Sequence, residues 1–114
     1  MAFIGKKTYA ITATVVATSA KELPELAQIR AQGVQPQIQV YASGGPVVFK
    51  LGGSGVAASK TETSDALPED NQHIPEGPVM IYGTRATDTH ISLISFDGAS
   101  TPEVVVTVGY GEKI

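Results

Sequence analysis

The chain has no cysteine and no tryptophan, only two histidines, and 17% charged residues among 114. Each shortage excludes something. Without cysteine there is no disulfide, no thiol nucleophile and no thiolate zinc site. The two histidines, His73 and His90, stand apart in no His-x-x-x-His pairing, and a metal site needs three or four converging ligands. Globular proteins usually carry ~25% charged residues, so much of this surface must be covered by uncharged side chains. The eight Lys and Arg are scattered and the net charge is −3, which leaves no basic stripe for nucleic acid. No window approaches ~18 uninterrupted apolar residues, so no membrane-spanning helix is expected. The opening Met1–Lys7 places its lysines after a short apolar run, which is not the order of a secretory leader.

What is present is a period of two. Hydrophobic residues make up 42% of the chain, enough for one modest core in one domain. In Gln37–Leu51, Ile38 and Val40 alternate with Gln37, Gln39 and Tyr41, and Val47, Phe49 and Leu51 alternate with Val48 and Lys50. Alternation puts one set on a buried face and the other opposite. Gly44 and Gly45 supply a tight reversal between the arms and Pro46 suits the start of a returning strand, so the stretch reads as a β-hairpin. His90–Phe96 and Pro102–Val108, joined through Asp97-Gly98, read as a second hairpin.

Further strands are expected at Tyr9–Thr18, at Val56–Ala66 and at Val79–Tyr82. Met1–Thr8 is an N-terminal arm or an edge strand, with residues 9–114 as the single β domain. Leu67–Pro78, with three prolines, is expected to be a long loop. The one helix lies between Pro24 and Gly33, with proline tolerated in its first turn; Ser19 and Glu22 have capping-box spacing. Short strands separated by turn residues make this all-β, an antiparallel sandwich or jelly-roll-like barrel with one short helix. The buried set should be Ile38, Val40, Val47, Phe49, Leu51, Ile81, Ile91, Leu93, Val104 and Val106.

Catalytic patterns are missing. Gly52-Gly53-Ser54-Gly55 lacks the Gly-Lys-Ser/Thr that a nucleotide loop places before a helix, and no serine stands in Gly-x-Ser-x-Gly. Glu69-Asp70-Asn71-Gln72 lacks the alternating order of a calcium loop. No enzymatic activity, cofactor or metal is expected. Tyr41 and Tyr82 take the outward parity opposite Val40 and Ile81. Exposed tyrosines on a strand face suit a protein interface or a sugar platform, and the scarcity of charge beside them favours the interface. Together with Phe3 and Ile4 of the N-terminal segment they form the expected contact set.

From Val40 onward the chain resembles a family of small bacteriophage virion proteins encoded among head genes. The likeness rests on VYASGGPVVFKLGGSGVAA, IPEGPVMIYG, THISLIS and DGASTPEVVVTVGYGE, in that order, and covers about two-thirds of the chain. Ser19–Gln35 departs from the pattern, where a shorter link is expected. The resemblance implies a structural virion component, made in the host cytoplasm. Foremost is a capsid decoration or cement protein bound to the major capsid protein. A head–tail or tail-attached component and a carbohydrate-binding sandwich are the alternatives. Cement work needs a rigid scaffold, neutral patches and many copies whose weak contacts multiply. A homo-oligomer is therefore expected, with no nucleic-acid or membrane partner.

Overall fold

The computed structural model describes residues 3–59, 71–97 and 101–111. Eight strands and one helix follow in the order β1 (Phe3–Thr12), β2 (Lys21–Glu22), α1 (Pro24–Ala31), β3 (Pro36–Ser43), β4 (Val47–Gly52), β5 (Asn71–Ile74), β6 (Val79–Gly83), β7 (His90–Ser95) and β8 (Glu103–Gly111). They make two antiparallel four-stranded sheets, β1-β8-β3-β6 and β2-β7-β4-β5. The fold is the expected all-β sandwich.

The core lies between the sheets. β3 contributes Ile38, Val40 and Ala42, β8 contributes Val104, Val106 and Val108, and across from them stand Val47, Phe49 and Leu51 of β4 with Ile91 and Leu93 of β7. Nine of the ten residues expected in the core are buried. The exception is Ile81, which is 52% exposed. Its neighbours explain why. Met80 and Tyr82 lie opposite Val40 and Ile38, both fully buried, so the even residues of β6 face inward. Tyr82 packs its ring edge-on against Phe49, with centroids 4.9 Å apart. The sequence Val-Met-Ile-Tyr is apolar at every position, so alternation alone could not assign its faces.

Neither expected hairpin forms. β3 and β4 belong to different sheets, as do β7 and β8. Each pair is an arch whose two arms face one another across the core. An apolar set on one side of both arms satisfies a hairpin and an arch equally, so periodicity could not separate them. At the first arch Gly44 and Gly45 both take positive φ, as the reversal requires, and the Gly44 amide donates to Glu76 Oε2 at 3.1 Å.

β1 differs in a similar way. Tyr9–Thr18 is not one strand: β1 begins at Phe3 and leaves the first sheet after Thr12. Fully buried Ala13 makes the corner, its amide bonded to the Pro102 carbonyl. The chain then runs beside β7, where Ser95 N–H donates to Thr14 O and Thr18 N–H to Leu93 O. The alternation runs through the corner unbroken, which hid it. Met1–Thr8 is thus realised from Phe3 onward as edge strand rather than arm.

The helix stands where Pro24 and Gly33 placed it, but Leu23 occupies its N-cap with no side-chain cap. The Ser19–Glu22 capping box is not used, because Glu22 is paired in β2 opposite His90. Leu26 and Ile29 enter the core and the helix packs against β8 and β3. β5 falls inside the expected long loop. Of the expected strand Val56–Ala66, residues 56–59 are not strand, and the rest lies outside the described residues, as do Glu69, Asp70 and Gly98.

Candidate interaction surface

The two sheets treat their outer faces differently. On the second sheet, outward Val48 and Ile94 form a small buried cluster with Ala58, against which Ala17 and Phe96 pack. On the first sheet the outward side chains have no such cover among the described residues. β8 sets the parity there: Val104, Val106 and Val108 point inward, so Glu103, Val105 and Thr107 point out. Register then builds rows across all four strands. Ala10, Val105, Tyr41 and Val79 make one, and Thr8, Thr107, Gln39 and Ile81 the next. A third holds Thr12, Glu103 and Ser43. Glu103 is the single formal charge in the three rows.

Of the seven large exposed apolar side chains among the described residues, four lie together on this face, while Val15, Val16 and Ile4 lie elsewhere. Val79 is 54% exposed, Ile81 52%, and Tyr41 and Val105 37% each. Scattered singly such residues need no explanation, but contiguous ones mark an interaction site. Of the four residues expected at an interface, Tyr41 lies at the centre of this face. Phe3 is half-buried at its far end, where its ring covers Gly109; a Cβ there would stand 2.8 Å from Phe3 Cζ. Ile4 pairs with Tyr110 and is 36% exposed, as expected, but apart from the Tyr41 cluster, and Tyr82 packs against the core. The expected pairing of Tyr41 with Tyr82 on one face is therefore corrected: Val79, Ile81 and Val105 accompany Tyr41 instead. Sequence reasoning placed Ile81 in the core and gave Val79 and Val105 no role, because β6 and β8 carry apolar residues on both parities.

A second feature lies at the sandwich side between β5 and β6. A cleft of about 310 Å³ is lined by Phe49, Leu51, Gln72, Tyr82, Gly83, Arg85 and Asp88. No hydroxyl-bearing serine, histidine or lysine stands among these residues. Its charges have structural work. Asp88, 2% exposed, accepts from the Arg85 amide at 2.8 Å and from its guanidinium at 3.2 and 3.4 Å. Arg30 of α1 donates to the Asp88 carbonyl at 2.8 Å, to Thr84 Oγ1 at 3.2 Å, and to the Arg85 carbonyl. Thr84 in turn donates to the Pro36 carbonyl at 2.8 Å. Together they clamp the helix to the turn after β6, which gives Ser19–Gln35 a structural role. Burial pushes the Tyr82 phenol above its ordinary pKa.

The remaining polar side chains are dispersed. His73 lies opposite Val48 and His90 opposite Gly52, at the two ends of β4. At ~3.3 Å per residue their positions are too far apart to share an ion. The His73 ring meets Phe96 at a tilt of 52°, with centroids 4.6 Å apart, and His90 Nδ1 bonds Thr89 Oγ1 at 2.8 Å. No group of three or more His, Asp or Glu among the described residues could hold a metal. Tyr9 donates to Glu25, joining β1 to α1. Burial, and then the Glu25 carboxylate, push its phenol up to about 12.

No protein-family model and no curated protein matches the chain. Among solved structures, a chain from Bacillus endospore appendages, described as a novel family of disulfide-linked pili, is similar at 15% identity and a TM-score of 0.48. The match covers 97% of this chain and 89% of that one. No helix among the described residues is long and apolar enough to cross a membrane.

Proposed function

We propose that this protein is a non-catalytic structural subunit of a bacteriophage virion, a capsid decoration protein that docks on the major capsid shell through the outer face of the first sheet. The observation that carries the reading is the asymmetry of the two faces. On one sheet the outward apolar residues Val48 and Ile94 are covered by Ala58, Ala17 and Phe96; the other presents Tyr41, Val79, Ile81 and Val105 on a nearly uncharged surface. A face of this kind favours a neutral partner surface, because burying it desolvates no charge except Glu103 at the margin. The reading as a head-gene product follows the resemblance of the segments from Val40 onward. Against the sugar-binding alternative, Tyr82 is packed on Phe49, so the two tyrosines do not form a platform.

The test is co-sedimentation with capsid shells that lack the protein. Wild type should pellet with the shells and raise their survival on heating. Tyr41→Glu, which adds a charge at the centre of the face without touching the core, should abolish both while leaving the melting temperature nearly unchanged. Equal binding by the variant would rule the face out. Absence of shell binding, with retention on a glycan array, would replace the decoration reading by the sugar-binding one.

A further inference from the structure

We infer that two copies of this chain pair along the free edge of β1, antiparallel and about a two-fold axis at Ala10, so that their first sheets join into one eight-stranded sheet. This concerns a different surface from the docking face and needs no shell to be tested.

The argument begins with the direction of the backbone groups. The Ala13 amide donates to the Pro102 carbonyl, and the register of β1 on β8 continues that line through Ile11 opposite Val104 and Tyr9 opposite Val106. Backbone groups alternate along a strand, so the odd residues bond β8 and the even residues turn theirs away. Thr8, Ala10 and Thr12 therefore present both N–H and C=O at the edge, where nothing among the described residues pairs with them. An unpaired row of this kind is a template for another strand.

Sequence marks the limits of that row. A register shift between Gly5 and Lys7 interrupts β1 on one side, and Lys6 and Lys7 add charge there. Bulges and lysines are the usual protection of an exposed edge. On the other side the chain turns away at Ala13. Between them, Thr8–Thr12 is regular, uncharged and free of proline. A two-fold axis at Ala10 places Ala10 against its own copy and Thr8 against Thr12. Each of these opposed pairs then exchanges both of its backbone bonds, and on the outer face only alanine and threonine side chains meet.

The remaining edges are one in the first sheet and two in the second. β6 bonds β3 through its even residues, Met80 and Tyr82, and turns the groups of Val79, Ile81 and Gly83 outward; it is the competing edge, and a dimer formed through it would survive Ala10→Pro. In the second sheet, β2 is two residues long and β5 is four. A β1–β1 pair is isologous and closed, so it ends at a dimer rather than a fibre. It also extends the row Val79–Tyr41–Val105–Ala10 without a break into the second copy, doubling the docking face.

The experiment uses the full chain. Wild type should show twice the 11.8 kDa chain mass by sedimentation equilibrium, within a range reaching about 1 mM. Ala10→Pro removes an N–H that does not serve the β1–β8 ladder, so the variant should fold and sediment as a monomer. Because the protein has no cysteine, Ala10→Cys supplies an independent reading. Hydrogen-bonded antiparallel partners lie ~5.5 Å apart at Cα, within the span of a disulfide, so this variant should cross-link to a dimer on mild oxidation. Val105→Cys, one strand further in, should not. A wild type that stays monomeric throughout overturns the inference. So does a folded Ala10→Pro dimer, or cross-linking of Val105→Cys as complete as that of Ala10→Cys. Should Ala10→Pro fail to fold, the two cysteine variants decide.

Discussion

Gly109→Ala tests how β1 is held. A Cβ at position 109 would lie 2.0 Å from the Ile4 carbonyl oxygen and 2.9 Å from its carbon. Both are backbone atoms and cannot rotate aside. To reach ordinary contact at 3.4 Å the Ile4 carbonyl must retreat by about 1.4 Å, which is more than a hydrogen bond tolerates. The start of β1, paired as Phe3 with Gly111, Ile4 with Tyr110 and Gly5 with Gly109, would separate from β8. Two or three bonds at ~0.5–1.5 kcal/mol each, with partial exposure of the Phe3 ring, give a loss of about 2–4 kcal/mol. For a chain of 114 residues, an unfolding entropy of ~2.1 cal/mol/K per residue converts this to a fall in Tm of about 8–17 °C. Urea denaturation gives the energy, and native-state hydrogen exchange gives the place. Ile4 and Tyr110 amides should lose protection while Val40 and Leu93 keep theirs. Gly5→Ala is the control, because its Cβ would crowd only the Thr107 methyl, at 2.8 Å, a side chain that can turn, and would meet Phe3 Cε2 at an ordinary 3.8 Å. A loss below about 0.5 kcal/mol for Gly109→Ala, with Ile4 still protected, would refute the close approach of the two strands.

Phe49→Ala removes a fully buried ring and its edge-on contact with Tyr82, and should cost about 3–5 kcal/mol; a loss under about 1 kcal/mol in denaturant titration would place Phe49 outside the core. Tyr9 gives a pH signature. Its folded pKa is about 12 against an ordinary 10.0, so the folded state keeps a phenolic proton that the unfolded chain releases. The stability it contributes is complete below pH 10 and is lost as pH rises toward 12. Tyr9→Phe should flatten that part of the melting profile, and an unchanged slope would show that the Glu25 contact does not form.

How much of this was legible in the sequence depends on which physical signal each feature leaves. β3, β4, β7 and β8 alternate, and their buried sets were readable one by one. The partners of those strands were not. Ile38 and Phe49 can meet across a hairpin or across a core, and Gly44-Gly45 permits either reversal. The β1 corner was invisible because Ala13 and Val15 continue the same alternation. β6 carries apolar residues on both parities, so only the pairing of Tyr82 with Ile38 decides its faces. That single uncertainty displaced Tyr82 from the interface and hid Val79 and Ile81. The Arg30–Asp88 clamp joins residues 58 positions apart and left no local pattern at all. The helix, by contrast, was marked at both ends by Pro24 and Gly33.

The most direct test of the docking face is hydroxyl-radical footprinting of the side chains, comparing protein bound to capsid shells with protein free in solution. Tyr41, Val79, Ile81 and Val105 should become protected together on binding, while Tyr82 and Phe96 stay unchanged. Protection at the cleft around Tyr82 and Arg85, or over the second sheet, with Tyr41 and Ile81 still reactive, would contradict the proposal that the first sheet's outer face docks on a capsid shell.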